Sequence, residues 1–324
     1  MAKSAKLSKV KGTNLDDVFQ IGDPDFSYDG KKGIDIAIFE SSFEDFDFAR
    51  KGTGNDKVTV TDSTGGIYEF KKVETILFNN GTADLGDDVY YNTATGATTR
   101  VDTQIDASAQ DGGEMFVGSG NSVNDFVVTQ SESAGVELAL AVKYRQGPSQ
   151  DPVSVDADGT VHFQVEDGAQ STTNGSSSNN ANRAAWSFDY SIATGLDGAT
   201  TDLSDFTFKL LIDVDPTAGT EFRELTMVDP GVAVPNDTGF IWVDQDGIPR
   251  IGDDGGNANV AQNSENYAFG FIEDFIDADP NTPGQQPYAP GFGPAEFDIR
   301  LEAYDGGHNL IAANQIAVEV IDFV

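Results

Sequence analysis

Among 324 residues, 54 are Asp or Glu and 19 are Lys or Arg. The carboxylates are therefore the first place to look for chemistry. Asp-x-Asp occurs six times, at Asp23/Asp25, Asp45/Asp47, Asp156/Asp158, Asp213/Asp215, Asp244/Asp246 and Asp277/Asp279. On a strand, residues i and i+2 share a face about 7 Å apart. Four of the pairs follow an apolar run and precede a Gly or Pro turn: "VDADGT", "IDVDPTAG", "VDQDGIP" and "IDADPNTPG". Such a turn lets two carboxylates and a carbonyl face one point, which suits calcium, a cation that takes six to eight oxygens at about 2.3–2.6 Å. "IDADPN" offers most, because Asn281 extends the spacing of Asp277 and Asp279. "IGDDGG", with Asp253 and Asp254, is a further candidate. None has the closing Glu of a twelve-residue EF-hand loop. Two carboxylates about 6 Å apart repel by roughly 0.7 kcal/mol in bulk water, more when desolvated, and a cation would relieve this. The competing reading is that Asp and Asn simply initiate turns.

Other chemistry finds little footing. The two histidines, His162 inside "TVHFQVE" and His308 inside "DGGHN", read as a strand residue and a hairpin tip. No Gly-x-Ser-x-Gly, His-Glu-x-x-His or P-loop is present, and with no cysteine there is no thiolate nucleophile or thiolate zinc site. A glycosidase needs only two carboxylates, but no pair is singled out for that role. The expectation is a chain that is not an enzyme. Trp186, Trp242, Tyr267, Tyr288 and Phe292 would serve a sugar platform, although Trp186 and Trp242 sit in alternating segments that suit a core.

The net charge of −35 argues against nucleic acid and anionic membrane surfaces as partners. It is uneven: residues 1–88 carry 11 basic and 17 acidic side chains, a net of −6, which leaves −29 for residues 89–324. We take these as two domains. Disorder is countered by 38% hydrophobic residues and 22 Phe. Absent cysteine points to a bacterial or viral protein. No run of 18 apolar residues would span a membrane. The first residues, "MAKSAKLSKVKGTNLDD", lack an apolar h-region, so export would use a route without a cleavable signal peptide.

The elements that must carry these residues read as strands. Alternation marks "KVTVTDS", "DFVVTQ", "VELALAVKY", "TVHFQVED", "WSFDYSIAT", "DFTFKLLIDVD", "EFDIRLEAYD" and "NQIAVEVIDF", with Gly, Asn, Asp and Pro between them. The expected class is all-β: a small N-terminal β-unit followed by a larger antiparallel β-sandwich. Phe297, Ile299, Leu301 and Ala303 lead through "DGGHN" into Ile316, Val318 and Val320, a hairpin similar to the last two strands of immunoglobulin-like, cadherin-type modules. Residues 168–183 and 277–294 read as long loops, the first low-complexity and the second Pro-rich.

Residues 33–85 resemble a β-rich unit found beside the calcium-binding nonapeptide repeats of RTX-type exported bacterial proteins. The matching positions are Gly33, Asp35, Ala37, Phe39, "VTD" (60–62), Val73, Glu74, Ile76, Phe78, Gly81 and Thr82. "GTNLDDVFQIG" (12–22) is similar to the start of such repeats. Tandem Gly-Gly-x-Gly-x-Asp repeats are missing; one fragment, "KGTGNDKV", holds Asn55 and Asp56, which read as turn residues. The final "VIDFV" resembles the uncleaved signal read by type I secretion systems. These resemblances imply a calcium-stabilised, self-assembling structural protein of the bacterial surface or matrix. The alternatives are a carbohydrate-binding or adhesive module, and an acidic β-protein, cytoplasmic or viral, adapted to salt.

Overall fold

The computed structural model describes residues 7–51, 57–79, 85–102, 126–144, 150–156, 158–168, 184–229, 240–252, 258–267 and 293–322. The chain divides into two compact units. One is Met1–Val101 with Val155–Gly159; the other is Asp102–Ser154 with Thr160–Val324. Both are built of strands, as the alternation predicts.

The first unit holds β1 (Ser8–Lys11), β2 (Val18–Gln20), β3 (Phe26–Asp29), β4 (Ile36–Phe39), β5 (Phe46–Arg50), β6 (Val58–Asp62), β7 (Ile67–Lys71), β8 (Thr75–Phe78), β9 (Val89–Asn92) and β10 (Thr98–Asp102). It winds as a stack of rungs. β1, β3 and β7 pair in parallel along one side, and β2, β4 and β8 pair in parallel along the other. The β5–β6 hairpin is inserted between the second and third rungs and joins β7 antiparallel. β9 then pairs antiparallel with β8, and β10 with β9. The first two rungs are offset by 18 residues on both sides, Ser8 against Phe26 and Val18 against Ile36. Parallel stacking places like residues over like. Tyr28 lies in register with Phe70 and their rings stack at 5.3 Å; Phe39 lies in register with Phe78 and stacks at 4.9 Å. Such ladders add to the area they bury by roughly 0.5–1.5 kcal/mol per aromatic pair.

The second unit contains β11 (Phe126–Ser131), β12 (Val136–Tyr144), β14 (Val161–Glu166), β15 (Trp186–Thr194), β16 (Thr207–Asp213), β17 (Phe222–Val228), β18 (Ile241–Val243), β19 (Pro249–Gly252), β20 (Val260–Asn266), β21 (Ala295–Tyr304) and β22 (Leu310–Ile321); the two-residue β13 (Ser154–Val155) straddles the division between the units. One sheet runs β11-β12-β15-β20, all antiparallel. The other runs β14-β22-β21-β16-β17-β18-β19. Leu138, Leu140, Val142, Phe188, Tyr190 and Ile192 from the first pack toward Phe297, Ile299, Leu301, Phe208, Leu210 and Ile212 from the second, and all are fully buried. Polar bonds cross this core. Asn314 Nδ2 donates to the carbonyls of Val127 (2.6 Å) and Leu138 (3.0 Å), and Trp242 Nε1 donates to the Tyr190 hydroxyl at 2.9 Å.

The predicted C-terminal hairpin is present: Phe297 pairs with Val318, and Ile299 with Ile316. The expected β-sandwich is present, and among the described residues its pairs are antiparallel except one: β14 lies parallel to β22. Alternation reports which face is buried and is the same for both strand directions, so it could not reveal this. The polar run "VAQNSEN" also forms a strand, β20, whose residues Gln262 and Asn266 are buried.

Candidate functional site

Three antiparallel hairpins close on the same carboxylate device. At the β18–β19 turn, Asp244 Oδ1 accepts the backbone N–H of Asp246 and of Ile248, both at 2.9 Å. Its Oδ2 takes Arg250 Nε and Nη2 at 2.8 Å. At the β6–β7 turn, Asp62 Oδ1 accepts from Thr64 N (2.9 Å) and Gly66 N (2.8 Å). At the β21–β22 turn, Asp305 Oδ1 accepts from Gly307 N and Asn309 N, both at 2.8 Å. In each case the fourth residue has positive φ: Gly65 at 88°, Gly247 at 75° and His308 at 61°. That residue's N–H bonds the carbonyl of the Asp three positions earlier, and the tight turn with its left-handed residue makes the loop three residues long. These donors hold the three carboxyls below their usual range. The leading cause is the Ile248 N–H for Asp244, the Thr64 hydroxyl for Asp62 and the Asn309 side chain for Asp305.

The predicted pair Asp156 and Asp158 occupies a related turn. The Gly159 N–H bonds the Asp156 carbonyl, and Gly159 has φ 91°. Asp156 and Asp158 are both exposed. Both were expected as calcium ligands, and both stand in this one turn. Among the described residues, Asp158 belongs to no group of three or more His, Asp or Glu that could hold a metal ion.

Asp213 ends β16 and is 2% exposed. Its Oδ1 accepts from Asp215 N (3.0 Å) and Glu221 N (2.8 Å), and Oδ2 from Asp298 N (3.4 Å). Asp215 in turn accepts from Thr217 N at 2.9 Å. Burial pushes the Asp213 carboxyl up to about 6, against the pull of these backbone donors. Thus in Asp213/Asp215 and Asp244/Asp246 the second residue contributes its N–H to the first residue's carboxylate. The i, i+2 spacing here is the reach of an Asx turn, not that of two side chains on one strand face.

The sequence pairs missed a different set. Asp17, Asp35 and Glu74 stand immediately before β2, β4 and β8, so the register of those strands stacks them one per rung. Asp17 N donates to Asp35 Oδ1 at 2.9 Å, and Asp35 N donates to Glu74 Oε2 at 2.8 Å. Gly12 and Gly30 make room: a Cβ on Gly12 would meet Asp17 Oδ2 at 2.6 Å, and one on Gly30 would overlap the Asp35 carboxylate. Asp35 is fully buried, and its Oδ2 has no hydrogen-bond partner. Burial pushes its carboxyl up, the Asp17 N–H opposes this, and the charges of Glu74, Asp17 and Asp16 add to the rise. The donor set is all oxygen, the kind that suits a hard cation. Among the described residues, no group of three or more His, Asp or Glu is arranged to hold a metal ion.

Both faces of the β12–β15 pair are buried. The face opposite Leu138 and Leu140 carries Ala139, Ala141, Ser187 and Ser191, and also Lys143 and Asp189; Ala139 and Ala141 there join a second apolar cluster with Phe126, Val128 and Val260. Lys143 Nζ lies 2.7 Å from Asp189 Oδ2, with side chains 1% and 0% exposed. Neither the ammonium nor either carboxylate oxygen makes a well-aligned hydrogen bond. Burial pushes the Asp189 carboxyl up; Lys143 and the Ser264 hydroxyl, directly opposite on β20, pull the other way. The signal for this pair was an outward strand face built of Ala and Ser, where an exposed face would carry larger polar residues.

Trp186, Trp242 and Tyr267 are buried in the core, so they form no sugar platform. His162 lies on β14 and His308 at the exposed hairpin tip, as the sequence predicts. Asp253, Asp254, Asp277, Asp279, Asn281, Tyr288, Phe292, Asn55 and Asp56, with almost all of the two long loops, lie outside the described residues. A scan against protein-family models finds no match, and a search of curated proteins finds none either. The site and the fold therefore carry the functional reading by themselves.

Proposed function

We propose that this chain is an exported, non-catalytic structural module of the bacterial surface or extracellular matrix, with calcium bound along the turns of its first unit. The observation that carries this reading is the carboxylate column Asp17, Asp35 and Glu74, repeated rung by rung, with one buried Asp35 oxygen still unpartnered. The 18-residue offset of the first two rungs supports it, since that is the length of two nonapeptides of the RTX type. In this reading Asp35, flanked by Asp17 and Glu74, supplies oxygens to the ion, and the ion offsets the mutual repulsion of the column. Self-association has its own support. Among the described residues β1 and β2 are edge strands, and Leu15, before β2, and Val18, its first residue, are 74% and 61% exposed. An open rung is a template for another strand.

Thermal melts with calcium and with chelator, at fixed ionic strength, test the ion. Calcium should raise the midpoint, and Asp35→Asn should abolish that rise. A rise that survives Asp35→Asn would move the ion to another acidic turn, with Asp277, Asp279 and Asn281 next in line. No rise at all would leave salt adaptation as the better account of the acidity. Sedimentation of wild type and Val18→Lys, with calcium present, tests assembly: the variant should stay monomeric at concentrations where wild type associates.

A further inference from the structure

We infer that Lys143 and Asp189 condense to a covalent amide that cross-links β12 to β15. The inference is independent of calcium. It starts from two opposite charges, both essentially without solvent exposure, that meet at 2.7 Å and satisfy little else. An ion pair so placed gives up hydration at both ends and gains few hydrogen bonds in return. In the reaction the ammonium passes a proton to the carboxylate across the 2.7 Å contact, which leaves an amine facing a carboxylic acid. The amine lone pair then attacks Cγ of Asp189. A C–N bond forms and the Cγ–OH bond breaks, and the hydroxyl leaves with an amine proton as water. The step consumes and releases nothing else, and no electron changes hands.

The surroundings suit this step. β12 and β15 pair over nine consecutive residues, from Val136 against Thr194 to Tyr144 against Trp186, so the two side chains are fixed relative to each other. Held reactants at contact distance react as if at effective concentrations on the order of 10⁵ M or above. Ala141 stands opposite Asp189 and Ser187 opposite Lys143, so small side chains leave the reacting groups room. Ser264, opposite Asp189 on β20, places a hydroxyl beside the carboxyl that can relay the departing proton. The amide would remove both buried charges and tie adjacent strands at the centre of the second unit, which suits a module that must resist forced unfolding.

Intact-mass measurement of the purified full chain, under denaturing conditions, tests it. The expected mass is one water below that of the sequence. Trypsin should fail to cut after Lys143 and should yield one branched peptide joining the Lys143 and Asp189 segments. Lys143→Arg and Asp189→Ala should each restore the full sequence mass. Wild type at the full sequence mass, with ordinary cleavage after Lys143, would overturn the inference. Since that reading comes from the unaltered protein, it stands even if a variant fails to fold.

Discussion

The hairpin tips and the interior of the second unit use the same residue type in opposite ways. At the tips, Asp62, Asp244 and Asp305 each meet backbone N–H groups two and four residues ahead. The Thr64 hydroxyl for Asp62, the Ile248 N–H for Asp244 and the Asn309 side chain for Asp305 lead in lowering the carboxyl pKa, with the other loop donors adding to it. In the interior, Asp189 meets a single ammonium on the neighbouring strand, and burial raises its pKa. The difference teaches what a carboxylate needs. A loop supplies free N–H groups because its backbone is unpaired, so an Asp there folds the loop. A central strand has already spent its N–H groups on the ladder, so an Asp there depends on another side chain. Asp213 lies between the two: it ends a strand and is buried, yet it draws on loop donors.

The comparison can be broken at several points. Removing one partner of the interior pair should do most damage. Lys143→Ala should cost about 3–5 kcal/mol, because it leaves Asp189 buried with neither a counter-charge nor an amide link to β12. Urea unfolding at neutral pH measures this, and a cost near zero would mean that the pair is not confined as described.

Asp213 comes next, with a pH signature of its own. Its native value of about 6 lies above the ordinary 3.8, so its ionised form weighs on the native state at pH 7. As pH falls through 6 toward 4, the native chain takes up this proton before the unfolded chain does. Asp213 therefore gains stability on acidification, and loses it again as pH rises through 6. Wild type should improve relative to Asp213→Asn between pH 7 and pH 4 in paired urea titrations. A difference that stays constant across this range would show that Asp213 is not held as described.

The tip aspartates should behave with the opposite sign. Their lowered values give stability that is present above the ordinary carboxylate range and lost as pH falls through it. Asp244→Ala, which frees two N–H groups and Arg250, should lower the thermal midpoint at pH 7 by about 2–4 °C. That loss should shrink in acid. The smallest effect belongs to His308, the one tip residue among the three that holds positive φ without being Gly. His308→Gly should raise the midpoint by about 1–2 °C, since it relieves a left-handed side-chain residue at modest entropic cost.

Much of this was legible in the residue order. "VELALAVKY" and "WSFDYSIAT" alternate cleanly and form β12 and β15, and the "DGGHN" turn closes the last hairpin where expected. The acidic turns were visible too, but their chemistry was not. Asp244 and Asp246 look like two ligands when only side chains are considered, and like one Asx turn once the backbone N–H is drawn. The column of Asp17, Asp35 and Glu74 was hidden because its members are 18 and 39 residues apart, and the second interval contains an inserted hairpin.

Alternation and turn residues alone determined that the chain is built of strands and where most of them end. Both follow from local physics, since side chains alternate along any strand and Asp or Gly sets a turn within a few bonds. Strand direction, the stacking of rungs and the meeting of Lys143 with Asp189 were decided only by the tertiary structure. Each depends on register between segments far apart in the chain, and no local preference encodes a register.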